Sequence, residues 1–292
     1  MNSFIMIGLT DPGVVRTENE DSIGTRPEAG LAVLADGMGG HQAGEVASKL
    51  AVDTIIKYLT DTYAADRKES LSKRISEAIR RANATIFDAA HQNEAHAGMG
   101  STIVTAMLRN GELVVGHVGD SRLYRFRNGK IEQITEDHSV IQELVNRGLF
   151  THEEARASVG KNLVTRALGV DAEVLVDVNA VPLEPDDLYL LCSDGLNDVV
   201  PDKDIAQILA DHSANLYTAA FKLVTLANQR GGPDNISVIL IRQEDVEIKP
   251  EPEKEKKTKK LGKPPAAKPD HGMTSEFTVN RHEKFIVDDE KN

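Results

Sequence analysis

The chain contains 292 residues, with 34 basic and 46 acidic side chains and a formal net charge of -12 at pH 7. Its 40% hydrophobic and 27% charged residues can build a globular core, which excludes a fully disordered or fibrous protein. No apolar stretch approaches the roughly 18 residues of a membrane span, and the N-terminus lacks a secretory signal pattern. The single cysteine, Cys192, cannot form an internal disulfide, so we expect a cytoplasmic protein without membrane contact.

The N-terminal third contains a pattern for one buried strand and two amphipathic helices. Residues 31 to 37, LAVLADG, form a short apolar run that ends in a turn, as core strands do. Apolar residues then recur at helical spacing over residues 46 to 55 and again over residues 71 to 86. Each helical pattern has one apolar face.

After Gly98 the pattern becomes that of successive strands. Residues 101 to 110 and 112 to 120 are strand-like, and residues 121 to 135 are predicted to form a hairpin. The hairpin turns at Asn128-Gly129, a pair that favours the tight turns joining antiparallel strands.

The second half of the chain mixes short helices and strands. Helices are predicted at residues 138 to 147 and 151 to 156, where Thr151 and Glu154 have the spacing of a capping box. Further elements are predicted as strands at 174 to 181 and 187 to 193, helices at 202 to 211 and 214 to 229, and a strand at 235 to 242.

This order of elements differs from the regular strand-helix alternation of a doubly wound parallel sheet. Two long adjacent helices followed by hairpin-connected strands favour antiparallel sheets with the helices outside. We therefore predict an α+β fold of antiparallel sheets flanked by helices, and the site considered below favours a four-layer α-β-β-α sandwich of two stacked sheets.

A change of composition predicts the end of the folded domain. Residues 244 to 292 begin with a Lys/Glu/Pro-rich run that has no apolar period, and we interpret them as a disordered linker and tail after a domain of residues 1 to 243. Residues 246 to 292 hold 11 basic and 10 acidic side chains, so the net negative charge lies in the domain. The interleaved glutamates and missing aromatics argue against nucleic-acid binding. Residues 277 to 287 regain apolar character, as a frayed end or a partner-docking peptide.

Five aspartates lie where an apolar strand meets a glycine or a turn: Asp21, Asp36, Asp120, Asp194 and Asp234. Each one alone is typical of a turn. Together they suggest carboxylates that project from strand ends into one cleft, where burial without a partner would be costly. A hard cation such as Mg²⁺ or Mn²⁺ takes oxygen ligands and would remove that cost.

Seven motifs occur in a characteristic order: RTENED (16 to 21), DGMGGHQAGEVAS (36 to 48), GMGST (98 to 102), GDSRLY (119 to 124), TRALG (165 to 169), SDGL (193 to 196) and GGPDNIS (231 to 237). In this order the chain resembles the metal-dependent serine/threonine phosphatases of type 2C, in their compact bacterial branch. The resemblance runs from about Leu9 to Ile241. It implies the same sandwich fold and a centre of two Mn²⁺ or Mg²⁺ ions.

The resemblance also implies a set of ligands. Asp36 would bridge the two ions and Gly37 would offer its carbonyl. The first ion's shell would be completed by Asp194 and Asp234, and Glu20 would reach the second ion through water. A third, weaker ion is implied at Asp120 with Asp194, and Asp21 would support the site from beside Glu20.

Catalysis is assigned by the same resemblance to Arg16 together with the ligand aspartates Asp36, Asp194 and Asp234. Arg16 would hold the substrate phosphate through its planar fork of donors. Two cations would clamp the phosphate and activate a water, so that no protein nucleophile is needed. Asn235 would orient that water.

One departure concerns the proton for the leaving group. Animal members of the family carry histidine after the DG pair, where this chain has Met38. His41 follows three residues later, and we interpret it as a capping or structural residue, so that metal-bound water becomes the alternative donor. Residues 139 to 162 fall where the family has a variable flap, whose mobility would influence substrate access.

Three other functions compete with this prediction. Cys192 is followed at the sixth position by Asp198, whereas a cysteine phosphatase needs arginine there. The glycines of residues 37 to 44 lack the spacing of a nucleotide loop. A catalytically inactive module that recognises a kinase or scaffold stays the alternative. We favour a phosphatase of phosphorylated proteins, monomeric, that reverses a serine/threonine kinase.

Overall fold

The computed structural model describes residues 3–40, 42–62, 69–159 and 163–244. Its strands are β1 (Ser3–Asp11), β2 (Asp21–Arg26), β3 (Leu31–Met38), β4 (Gly100–Ser101), β5 (Ile103–Arg109), β6 (Glu112–Val118), β7 (Arg122–Arg127), β8 (Lys130–Gln133), β9 (Asp177–Pro182), β10 (Leu188–Cys192) and β11 (Ile236–Glu244). Its helices are α1 (Ala43–Asp61), α2 (Leu71–Gln92), α3 (Val140–Asn146), α4 (His152–Val159), α5 (Asp194–Asn197), α6 (Asp202–His212) and α7 (Leu216–Gln229).

The strands form two antiparallel sheets. The first has the order β1-β11-β10-β7-β8, and the second has the order β2-β3-β5-β6-β9, with β4 paired to the end of β3. Helices α1 and α2 contact the second sheet, and α7 contacts β1 and β11 of the first. The predicted sandwich of two antiparallel sheets flanked by helices is confirmed.

Alternation of side chains along the strands creates three apolar layers. In β3, Leu31, Val33 and Ala35 pack in the layer under α1 and α2, whereas Ala32 and Leu34 pack between the sheets. Because successive side chains of a strand point to opposite faces, a strand covered on both sides reads as a continuous apolar run. That is the run predicted as a buried strand.

The first sheet is covered in the same way. From β11, Val238 and Leu240 pack in the layer under α6 and α7, while Ile239 and Ile241 face the second sheet. At about 25 cal/mol per Å² of buried apolar surface, these layers supply most of the driving force for folding. They fix the two sheets against each other and therefore fix the ends of their strands.

Two local predictions are confirmed in detail. Asn128 and Gly129 have φ values of 51° and 75° between β7 and β8, which are the left-handed conformations that this two-residue hairpin turn requires. The Thr151 Oγ1 atom accepts a hydrogen bond from Glu154 N–H at 3.2 Å, and Glu154 Oε2 accepts one from Thr151 N–H at 2.8 Å. This reciprocal pair is a capping box.

The structure adds elements that the hydrophobic pattern does not predict. Strands β1 and β2 precede the first predicted strand, and α5 is a single turn after β10. Glu244 pairs with Ser3 at the end of the β1–β11 ladder. The predicted tail beyond Glu244 lies outside the described residues, as does His41. No helix within the described ranges is long and apolar enough to cross a bilayer.

Candidate metal centre

Both sheets end at the same group of acidic side chains. Asp36 lies near the end of β3 and pairs in register with Asp21, the first residue of β2. Asp120 follows the end of β6. From the other sheet, Asp194 follows β10 and Asp234 precedes β11. The sandwich therefore brings together aspartates that are far apart in the chain.

The electrostatics of Asp36 show that the carboxylates converge. Desolvation raises its pKa well above the usual range, and the charges of Asp21, Asp194, Asp120 and Asp234 raise it further. Because Coulomb interactions decline with distance, four carboxylates that act on one group must lie near it. The structure thus collects all five predicted strand-end aspartates.

Two members of the cluster are deeply buried. Asp21 is 7% exposed and Asp120 is 4% exposed. Burial, with the charges of neighbouring aspartates adding, raises the pKa of each to about 7. Buried carboxyl groups lose the hydration that stabilises their charge, so they hold their protons longer than exposed ones.

The oxygen atoms of these two groups test whether a cation fits. Asp21 Oδ2 accepts a hydrogen bond from Ser193 Oγ at 2.7 Å, but its Oδ1 receives none from any described residue. Asp120 Oδ2 likewise has no hydrogen-bond partner in the described ranges. Buried acceptors without donors are costly, and hard divalent cations prefer carboxylate oxygens. The residues present therefore fit Mn²⁺ or Mg²⁺.

Gly37 occupies a place where no side chain fits. A Cβ atom there would lie 2.0 Å from the Gly44 carbonyl oxygen, and the Gly37 N–H donates to the Glu20 carbonyl at 3.1 Å. The end of β3 therefore packs against both the Glu20 loop and the start of α1. The DG pair has glycine at this position because any side chain would clash with the Gly44 backbone.

Glu20 lies beside the N-terminus of α1. A Cβ atom on Gly44 would come within 2.5 Å of Glu20 Oε1, and the Gly44 backbone amide hydrogen-bonds the carboxylate. Desolvation raises the pKa of Glu20, while the positive charge of Arg16 opposes that change. The predicted ligand of the second ion thus adjoins the Asp36-Gly37 turn.

Arg16 pairs with one of the predicted ligands. Its Nη2 donates to Asp234 Oδ2 at 2.8 Å, and the two side chains are 50% and 37% exposed. The hydrogen bond to Asp234 raises the pKa of the guanidinium, so Arg16 stays charged. A half-exposed guanidinium at the edge of the acidic cluster can bind an incoming phosphate with its remaining donors.

Asn235 holds the loop that precedes β2. Its Oδ1 accepts from Glu20 N–H at 2.8 Å, and its Nδ2 donates to the carbonyls of Pro12 at 3.0 Å and Glu18 at 2.9 Å. These three hydrogen bonds hold the loop that carries Arg16 and Glu20, and the expected contact with a water stays a prediction. These partners, 215 or more residues away in the chain, explain why sequence spacing does not reveal the role.

The GMGST motif supports Asp36. Thr102 N–H donates to the Asp36 carbonyl at 2.8 Å, and Thr102 Oγ1 accepts from Asp36 N–H at 3.1 Å. Ser101 Oγ donates to the same carbonyl at 3.0 Å. Sequence analysis gave these residues no role, although the motif marked their position.

Cys192 is inert in this arrangement. It is fully buried in β10, its Sγ contacts Asn197 Oδ1 at 3.6 Å, and burial raises the pKa of the thiol well above its usual range. A thiol acts as a nucleophile in its ionised form, so this cysteine suits a core position. The cysteine-phosphatase alternative has no support here.

Comparison with known proteins shows which family the chain belongs to. A model of the family "Protein phosphatase 2C" matches residues 15 to 226. The serine/threonine phosphatase stp of Listeria innocua is 38% identical over 237 residues, which cover 80% of this chain and 94% of that protein.

Solved structures give the same result. The serine/threonine phosphatase PstP/Ppp of Mycobacterium tuberculosis superposes with a TM-score of 0.75 and 36% identity, covering 83% of this chain and 99% of that one. The catalytic domain of PstP, solved with two manganese ions, gives a TM-score of 0.74 and 36% identity, covering 84% and 100%. The family model matches more than half of the chain, and the chain accordingly belongs to the protein phosphatase 2C family.

Proposed function

We propose that this chain removes phosphate from phosphoserine and phosphothreonine residues of proteins and so reverses a serine/threonine kinase. As a member of the protein phosphatase 2C family it is a metal-dependent hydrolase with a binuclear centre that takes Mn²⁺ or Mg²⁺. One observation carries the proposal. Carboxylates from both sheets converge on one place, with buried oxygens of Asp21 and Asp120 that accept no hydrogen bond from described residues, beside the guanidinium of Arg16.

The proposed ligands divide among three ions. Asp36 would bridge the two principal ions, with Gly37 and Glu20 beside it, and the remaining ligands would be Asp194 and Asp234. Asp120, with Asp194, would hold a weaker third ion. When bound, the principal pair supplies a Lewis acid for the phosphate oxygens and a hydroxide nucleophile near neutral pH.

The chain's own residues prepare this place in three ways. Arg16 supplies positive charge for a phosphate dianion that must approach an acidic protein. Asn235 fixes the loop of Arg16 and Glu20 by three backbone hydrogen bonds. Thr102 fixes both backbone groups of Asp36. Positioned groups of this kind lower the reorganisation needed during reaction.

The substrate class is supported by the relatives, which are described as serine/threonine phosphatases in Listeria and Mycobacterium. We propose a monomer that acts in the cytoplasm. A partner serine/threonine kinase follows from the chemistry, because a phosphatase of phosphoserine needs an enzyme that makes its substrate. We also propose that the catalytic domain ends close to Glu244 and that the rest of the chain is not needed for hydrolysis.

Hydrolysis of a phosphothreonine peptide in the presence of Mn²⁺ tests the function. We expect turnover by the wild type, loss of turnover with a chelator, and a fall of at least about 1,000-fold in Asp36→Asn. The matched control is Asp53→Asn on α1, whose side chain is 64% exposed and pairs with Lys49. It should hydrolyse the peptide at the wild-type rate.

The same experiment separates the two candidate functions. If the wild type binds Mn²⁺ but hydrolyses neither the phosphopeptide nor an aryl phosphate, the chain is a binding module with a phosphatase fold. If Asp36→Asn keeps full activity, the ligand assignment is wrong even though the family is right. Calorimetric titration with Mn²⁺ distinguishes a lost ion from a lost catalytic step.

A further inference from the structure

The TRALG motif is not used by the proposed metal centre. Its Thr165 N–H donates to the His138 carbonyl at 2.8 Å. Arg166 Nη1 donates to Asp177 Oδ1 at 2.9 Å and to the Leu175 carbonyl at 3.1 Å. The motif therefore contacts His138 directly and holds Asp177 in place.

His138 connects this motif to the turn that carries Asp120. It is 7% exposed, and its N–H donates to the Gly119 carbonyl at 3.0 Å. Its Nδ1 accepts from the Gly119 N–H, also at 3.0 Å. Both backbone groups of Gly119 are thus bonded to one residue, immediately before Asp120.

These contacts fix the proton on the imidazole. Because Nδ1 accepts from Gly119, the proton of the neutral ring lies on Nε2, which donates to Asp177 Oδ2 at 3.1 Å. Arg166 donates to the other oxygen of Asp177. The carboxylate is therefore the acceptor that keeps Nδ1 free to accept from Gly119.

The same side chains could be mistaken for a metal site, since ligand atoms of His117, His138 and Asp177 lie within 4.8 Å of one another. Arg166 Nη1 already lies 3.1 Å from His138 Nε2 and 2.9 Å from Asp177 Oδ1. The Arg166 guanidinium thus supplies the positive charge that a metal ion would otherwise supply to these side chains. The cluster is therefore a hydrogen-bonded support, and the residue that it holds in place is Gly119.

The position of Asp120 depends on its backbone. Asp120 Oδ2 receives no hydrogen bond from the described residues, so that oxygen is not oriented by a donor. Gly119 has φ of +106°, and a Cβ there would lie 2.6 Å from Thr102 Cβ, so the turn is tightly enclosed. The two hydrogen bonds between Gly119 and His138, one donated by each residue, hold its peptide groups.

We propose that His138 is the positioning residue for the Asp120 carboxylate, and that it sets the affinity of the weakest of the three cations. The inference rests on the proposed function, which gives Asp120 its cation. Arg166 and Asp177 act through His138, and this gives the TRALG motif a role in cation binding without supplying a ligand.

Two amide substitutions of His138 distinguish the role of Nδ1 from the role of Nε2. The Oδ1 atom of His138→Asn is as many bonds from Cα as Nδ1, so it can still accept from Gly119. The amide of His138→Gln extends to the position of Nε2 and leaves the Gly119 N–H without its acceptor. Calorimetric titration of the full chain with Mn²⁺ measures each ion.

We expect His138→Gln to weaken the weakest Mn²⁺ about tenfold, the worth of about one hydrogen bond, and to leave the two tighter ions unchanged. His138→Asn should stay within about threefold of the wild type. Asp120→Asn, which should lose that ion, sets the reference. Urea unfolding of each metal-free variant shows whether a change reflects general destabilisation.

Asp177→Ala provides a second route, because its side chain is 42% exposed and its loss should not prevent folding. This substitution should weaken the binding of the same ion about threefold, because the proton of His138 is then no longer held on Nε2 by an acceptor. Equal affinities in His138→Asn and His138→Gln, or parallel weakening of all three ions, would overturn the proposal. If the wild type binds two ions and Asp120→Asn loses neither, the proposal fails while the phosphatase function stands. If the wild type binds no ion, the proposed function itself fails.

Discussion

The buried carboxyl group of Asp120 should make the metal-free protein less stable as the pH rises. Burial, with the charges of Asp194 and Asp137 adding, raises its pKa from 3.8 to about 7. In the unfolded chain the group is hydrated and loses its proton near the lower value. Between the two values the folded state binds more protons than the unfolded state, so the free energy of unfolding falls with increasing pH.

Asp120→Asn removes this titration and keeps the size of the side chain. At about 1.4 kcal/mol per pH unit, the difference between 3.8 and about 7 corresponds to about 4 kcal/mol. Water entering the site reduces that value, so we expect the metal-free variant to be more stable than the wild type by about 2 to 4 kcal/mol at about pH 8. Near pH 4 the two proteins should differ by less than about 0.5 kcal/mol.

Urea unfolding followed by circular dichroism, with chelator present, measures this difference across the pH range. Asp53→Asn is the control, and it should change the free energy of unfolding by less than about 0.5 kcal/mol at every pH. Excess Mn²⁺ should reverse the order, because an ion bound only to the folded wild type stabilises it. A difference between Asp120→Asn and wild type that does not vary with pH would show that the carboxylate is hydrated. The argument from its buried oxygen would then be refuted.

Four further changes test other parts of the site. Arg16→Ala should raise KM for a phosphopeptide about tenfold with a smaller effect on kcat, and an unchanged KM would remove Arg16 from phosphate binding. Gly195→Ala should cost at least about 2 kcal/mol in thermal unfolding, because its Cβ would lie 2.0 Å from the Asn235 carbonyl oxygen; wild-type stability would contradict that packing. Thr102→Val removes the acceptor of the Asp36 N–H and should lower the free energy of unfolding in urea by about 1 to 2 kcal/mol. Thr102→Ser keeps a hydroxyl acceptor and should lose less stability. Deleting residues 246 to 292 should leave kcat/KM for an aryl phosphate within about twofold of wild type. A collapse of activity would place part of the tail in the catalytic domain.

The fold follows from local patterns to a large extent, because central strands such as β3, β5 and β10 are short and buried on both faces. The run from Leu31 to Ala35 is apolar throughout, since its alternate side chains enter two different layers. Strand β1 contains a similar run, Phe4 to Ile7, but it has no preceding turn signal and gains its strand character from pairing with β11. That pairing joins residues more than 200 positions apart, which a local window cannot detect.

The five aspartates of the site could be predicted because each lies between an apolar strand and a glycine or turn, whereas Glu20 is expected from the family resemblance alone. The supporting residues have no such signature. Asn235 and Thr102 are ordinary polar residues in sequence, and their roles come from backbone groups that the fold brings to them. His138 is similar, since its partners Gly119, Thr165 and Asp177 come from three separate segments. Such roles depend on tertiary register and are visible only in three dimensions.

The division of the acidic cluster between the two sheets has a mechanical consequence. Asp36 and Asp120 lie at strand ends of one sheet, whereas Asp194 and Asp234 flank strands of the other, so a cation held by both pairs would link the two sheets. Any sliding of one sheet over the other would pull the donor oxygens out of alignment. The apolar layer between the sheets, which includes Leu34 and Tyr189, holds the sheets against each other. The affinity for the cation would therefore depend on the packing of this layer. Its close packing would therefore support cation binding without contributing a ligand.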